Sequence, residues 1–77
     1  MLGRHVYRVT ERADEWIVRK DGEAAARGAR PDRAAALAYA CALAAVDEPS
    51  RVVVETAEGT LADERVFGTD PGLGDAG

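Results

Sequence analysis

Apolar residues recur at every second position in most of this chain, and one stretch near the middle changes to a spacing of three and four. From His5 to Glu11, Tyr7 and Val9 share one side while Val6, Arg8 and Thr10 share the other. That is the period of a strand with one buried face. After a short polar link, Arg12 to Asp14, the segment Glu15 to Lys20 puts Trp16 and Val18 on one side and Ile17 and Arg19 on the other. The two segments are expected to pair as a hairpin. Asp21-Gly22 is a turn signal, because glycine accepts the positive φ of a tight turn. The alanine-rich Glu23 to Arg27 is a weak strand by composition, expected as a short edge strand ended by Gly28. Further on, Arg51 to Thr56 contains three consecutive valines, which suggests contact on both faces. Glu58-Gly59 marks a turn, and Thr60 to Phe67 is expected to pair back as a second hairpin. Residues 69 to 77, rich in glycine, read as a flexible C-terminal tail.

The stretch from Arg33 to Val46, RAAALAYACALAAV, holds no charge after Arg33 and neither glycine nor proline. Alanine and leucine lose little side-chain entropy in a helix, so a helix is predicted. Pro31 and Asp32 mark its start, with Asp32 placed to accept from the free N–H groups of the first turn. Asp47, Glu48 and Pro49 end it. At 100° per residue, Ala36, Leu37, Ala40, Leu43 and Ala44 form the stripe that faces a core. The other face carries Ala35, Ala38, Tyr39, Ala42, Ala45 and Val46, where a surface helix normally carries charge. Alanine is tolerated in water and favoured in helices, so the pale face needs no partner. Equally, small side chains let two helices approach closely, which makes Ala35, Ala38, Tyr39, Ala42 and Val46 a candidate interface with a second copy or another protein.

Strands grouped on either side of one helix, in the order β-β-(β)-α-β-β, predict an α+β domain over residues 1 to 68. An antiparallel sheet from two hairpins is covered by the central helix. The residues Tyr7-x-Val9, Trp16-x-Val18, Gly22, the helix with Ala36-Leu37, Ala40 and Leu43-Ala44, then VVVET and the hairpin EGTLADERVFG ending in Phe67-Gly68, carry a resemblance. Over about residues 7 to 68 the chain resembles the small bacterial family called domain of unknown function 2188. The resemblance implies one unit of hairpin, helix and hairpin, and no assigned activity. The chain departs from that family's pattern in having alanines, rather than charges, on the outer helix face.

A chain of 77 residues buries only about 60% of its unfolded surface, so the core is small and self-association would add to it. Three of the four aromatic residues, Tyr7, Trp16 and Phe67, lie on predicted strands and are expected to anchor that core, with Trp16 largely buried against the helix. The single cysteine, Cys41, excludes an internal disulfide and, with the single His5, leaves too few ligands for a usual zinc site. A cytoplasmic location is expected, since charge enters the N-terminal segment too early for a signal peptide and the helix is too short for the roughly 20 residues of a membrane span.

No catalytic, cofactor or metal residues are assigned. The acid pairs Asp14-Glu15, Asp47-Glu48 and Asp63-Glu64 sit at turns or in an alternating strand, where carboxylates are solvated. The glycines match neither a P-loop nor a dinucleotide loop. Residues 1 to 33 carry a net charge of +2 and residues 34 to 77 a net of −6. An overall charge of −4 weighs against a general nucleic-acid binder. Arg8 and Arg19 are the candidate local basic surface: they share the sheet face away from the helix with Val6, Ile17 and Val53. The expectation is therefore a non-enzymatic protein-interaction domain that forms a homodimer or binds an unknown protein partner without a cofactor, with nucleic-acid binding through Arg8 and Arg19 as the alternative.

Overall fold

The computed structural model describes residues 4–68, so the expected tail at residues 69 to 77 lies outside the described residues. Five strands and one helix follow in the order β1 (His5–Arg12), β2 (Glu15–Lys20), β3 (Gly28–Arg30), α1 (Arg33–Ala45), β4 (Ser50–Glu55) and β5 (Leu61–Phe67). They form a single sheet in the order β3-β2-β1-β4-β5, and α1 packs on one face of it. The α+β expectation is met. The two antiparallel hairpins, β1-β2 and β4-β5, are joined in the middle by a parallel pairing of β1 with β4, in register from His5↔Ser50 to Thr10↔Glu55. The helix is the crossover that makes this possible, because parallel neighbours need a long connection.

The first hairpin turns on Ala13 and Asp14 alone, with φ of 50° and 69°. Two positive φ values suit the right-handed twist of a two-residue hairpin, and aspartate tolerates them. Alanine does not, since its Cβ crowds the backbone there. Ala13→Asn is expected to raise stability by about 1 kcal/mol, read as a higher denaturant midpoint with an unchanged slope.

The predicted edge strand at Glu23 to Arg27 is not a strand; the ladder begins five residues later, at Gly28–Arg30, opposite Val18 to Trp16. Glu23 and Arg27 instead clasp each other, with Arg27 Nε and Nη2 donating to the Glu23 carboxylate at 2.8 and 2.9 Å. No β-branched residue in that stretch favours an extended backbone. Gly28 begins the strand because the Tyr39 ring lies over it: a Cβ at Gly28 would sit 2.9 Å from Tyr39 Cε2.

The N-cap of α1 is Asp32, whose carboxylate accepts from Ala35 N at 2.8 Å. Ala36, Ala40 and Ala44 are 0% exposed, each meeting the sheet with only a methyl group. Small side chains on this stripe let the helix lie close over Tyr7, Val9, Val18, Val52 and Val54, which complete the buried cluster. The alternate valine of β4, Val53, points to the other face and is still only 3% exposed, so the three valines do make contact on both sides. Buried Ser50 is satisfied by donating to Ala44 O at 2.6 Å.

Two aromatic placements differ from the sequence reading. Trp16 is only half-buried at the rim of the core, because it pairs with Glu11 and Arg30 near the end of the sheet. Tyr39 is not on the outer helix face: it is half-buried against the core, and its hydroxyl donates to Arg27 O at 3.1 Å. Arg30 stacks 4.0 Å from its ring centroid. A long side chain reaches back along its helix, so Tyr39 covers β3 from a position that the wheel draws as exterior.

Candidate interaction surfaces

The sheet face opposite the helix is uncovered. β1 sends Val6, Arg8 and Thr10 there, β2 sends Ile17 and Arg19, and β4 sends Arg51, Val53 and Glu55. The sequence placed Arg8 and Arg19 on this face, and they are directly opposite each other across β1 and β2. Their states differ. Arg8 donates through Nε and Nη2 to Asp21 at 3.0 and 2.7 Å and through Nη1 to Glu55 at 2.6 Å. Its pKa is raised, first by the bond to Asp21, and Asp21 is lowered by the same bond. Both its forks are thus occupied by carboxylates, which removes Arg8 as a free phosphate contact. Arg19 is exposed and, with Thr10, Arg12, Ile17 and Ala26, lines a cavity of about 300 Å³. Further along the face, Arg51 Nη1 lies 3.2 Å from the Glu64 carboxylate.

A second polar constellation sits where the helix ends. The two acids after α1 lie at the end of a helix where the dipole disfavours negative charge, yet Asp47 is a hub. Tyr7 Oη donates to Asp47 Oδ2 at 2.7 Å, Lys20 Nζ lies 2.8 Å from the same oxygen, and His5 Nε2 lies 3.7 Å from Oδ1. The group ties β1 and β2 to the helix C-terminus, a role legible only once residues forty positions apart are neighbours. The bond from Lys20, then that from Tyr7, holds the Asp47 carboxyl below the usual carboxylate range. Burial pushes the Tyr7 hydroxyl up, with the Asp47 bond adding to it.

These lowered carboxyls set an acid limb. A carboxyl whose native pKa lies below its unfolded value contributes stability that is fully present above the unfolded value and is lost as pH falls through the native one. Stability is expected to hold at neutral pH and to decline below about pH 4, where unfolded carboxyls begin to protonate. Asp47→Asn should flatten that decline in denaturant melts taken between pH 7 and about pH 2, and an unchanged slope would remove Asp47 from the account.

The candidate helix interface is divided by the fold. Ala38 and Ala42 are exposed and Ala35 is half-buried. Val46 is 85% exposed but caps the helix rather than belonging to it. Tyr39, turned toward β3, is not part of that surface. Cys41 is half-buried and faces the charges of Asp63 and Arg65; burial raises its pKa, which keeps the thiol protonated. Among the described residues, no group of three His, Cys, Asp or Glu side chains is placed to hold a metal ion, and no helix is long and apolar enough to cross a membrane.

The surface that the sequence reading missed is the outer edge of β5. This strand ends the sheet, and Leu61 and Val66 on it are each 55% exposed, two of the three large apolar side chains so exposed among the described residues. No alternation marks it, since Leu61 and Val66 are five residues apart, and a strand's position in a sheet is not written in its own residues.

A family model described as an uncharacterized protein conserved in bacteria (DUF2188) matches residues 5–67. No significant match is found among curated proteins or among solved structures.

Proposed function

The chain belongs to this bacterial family of uncharacterized proteins, and on that premise we propose that it is a small non-catalytic protein-interaction domain that works as a homodimer in the cytoplasm. The observation that carries the reading is the exposed apolar pair Leu61 and Val66 on a seven-residue strand with one unpaired edge. An open edge of that length is a template for another strand, and exposed branched residues beside it favour its being covered. The small core, with alanines at three of its nine buried apolar positions, adds to the case, because association supplies burial that the single chain lacks. A lone, unactivated thiol suits a reducing compartment.

The test is the solution mass across a wide range of concentration, by light scattering on a size-exclusion column or by sedimentation. A mass rising toward twice the 8.1 kDa of one chain is expected. A mass fixed at one chain at all concentrations would end the homodimer reading.

One observation favours a second reading, nucleic-acid binding on the uncovered sheet face. Arg12 and Arg19 flank Ile17 in the cavity there, a basic and apolar combination that suits a phosphate and an adjacent base or sugar. Arg8 contributes little to it, being held by Asp21 and Glu55. A salt-sensitive mobility shift with duplex DNA or RNA, abolished by Arg19→Glu, is the result that would move the function to this class.

A further inference from the structure

We infer that two copies of β5 pair antiparallel along their open edges, about a two-fold axis at Glu64, making one ten-stranded sheet with both helices on the same side. The inference rests on the self-association reading above and specifies its surface.

No strand covers the edge. The Glu64 N–H donates to Asp63 Oδ1 at 2.7 Å and its carbonyl accepts from Arg65 Nη1 at 3.5 Å, so both point away from β4, and pairing has to displace these two side-chain bonds. Alternation along the strand then places the backbone groups of Glu64 and Val66 on the open side. The opposite edge of the sheet is less suited, since β3 has three half-buried residues and the Tyr39 ring lies over its first. The helix rests mainly on β1 and β4 and leaves the β5 edge clear.

The register follows from charge. With Glu64 opposite Glu64 of the second copy, Asp63 of each chain faces Arg65 of the other, giving two opposite-charge crossings related by symmetry. Asp63 and Arg65 already attract each other within one chain, at 2.6 Å. Pairing extends that contact into a cluster of four alternating charges. The same register sets Ala62 against Val66 of the second copy, so the exposed Val66 of each chain is covered by the other. The like-charge contact at the axis is moderated because each Glu64 lies 3.2 Å from its own Arg51.

Neighbouring registers fail. A shift that moves the axis to residue 63 opposes two aspartates, one that moves it to residue 65 opposes two arginines, and neither sets Asp63 against Arg65 to offset the like pair. An offset that moves the axis between residues would put the helices on opposite sides of the sheet, which a two-fold axis at a shared edge does not allow. Charges at the middle of an edge strand usually block pairing with other chains. Here they also select one partner, a second copy in one register. A single strand pair is a small interface, so a dissociation constant of roughly micromolar or weaker is expected.

The experiment is a charge swap read by native mass spectrometry and sedimentation, with far-UV circular dichroism confirming the fold of each variant. Asp63→Arg and Arg65→Asp each set like charges together at both crossings, and each alone is expected to be monomeric where the wild-type chain is dimeric. Mixed in equal amounts, they restore opposite charges at both crossings and should form a heterodimer. The doubly swapped chain, D63R with R65D, should again be a homodimer. Ala42→Glu, on the exposed helix face, should leave the dimer intact. If the single swaps remain dimeric, if the mixture stays monomeric, or if Ala42→Glu dissociates the dimer, the β5 interface is wrong while self-association stands. A wild-type chain that is monomeric throughout overturns both.

Discussion

Tyr7→Ala is expected to abolish the cooperative unfolding transition at physiological temperature, or to lower its midpoint by roughly 15–30 °C. Tyr7 is only 2% exposed, on a central strand beneath the helix, surrounded by valines and the alanine stripe. Truncating a buried aromatic costs about 3–5 kcal/mol through lost transfer energy and the cavity left behind. A domain of this length has roughly 4–12 kcal/mol in total. The change also strips Asp47 of one of its two close partners, leaving Lys20 alone within hydrogen-bond distance. Tyr7→Phe separates the two contributions: it keeps the packing and removes the bond to the carboxylate, for an expected loss of about 1–2 kcal/mol. Trp16→Ala, on the half-buried rim, is expected to cost about 1–2 kcal/mol. Denaturant titration of the three variants ranks them, and a Trp16→Ala loss equal to that of Tyr7→Ala would show that the rim carries as much of the core as the centre.

The second large effect distinguishes two alanines two positions apart. Ala40→Glu is expected to leave the chain unfolded, whereas Ala42→Glu should change stability by only a few tenths of a kcal/mol. Ala40 is 0% exposed and faces the strands, where a carboxylate has neither room nor a partner. An uncompensated charge there costs several kcal/mol, and the helix must lift to relieve it. Even the apolar Ala40→Leu should cost about 1–3 kcal/mol, because the helix lies close on the sheet there and a methyl group already fills the contact. Far-UV circular dichroism and a urea melt of the four chains, wild type included, give the comparison directly. A folded Ala40→Glu chain would mean that the helix is looser on the sheet than the burial of its three alanines requires.

Both predictions depend on how much of the molecule could be read in advance. Strand β2 falls on the residues that its alternation marks, Glu15 to Lys20. The helix begins at Asp32 because a carboxylate there meets the free N–H groups of the first turn, a local effect that needs no tertiary contact. The stripe of Ala36, Ala40 and Ala44 is likewise a matter of 3.6-residue geometry. Where a side chain's placement is set by a neighbour distant in sequence, the pattern misleads. Tyr39 goes to β3 because Gly28 leaves room for its ring, and Trp16 goes to the rim because it stands beside the β1-β2 turn, at the end of the sheet. Arg8 has the composition of a phosphate contact, but Asp21 and Glu55 reach it only across two turns of the chain topology.

The sequence by itself determined most of the local repertoire: the helix and every strand but β3, where Asp32 caps, where Gly22 and Gly59 turn with φ of 97° and 86°, and which valines and alanines face inward. These follow from the repeat of the backbone and the chemistry of adjacent residues. Only the tertiary structure decided that β1 and β4 lie side by side in parallel, that Asp47 joins Tyr7 and Lys20, and that β5 rather than the helix presents the open apolar edge. The reason is that strand order depends on which hydrophobic faces the single helix can cover at once. That is a property of the whole core, and no window of the chain contains it.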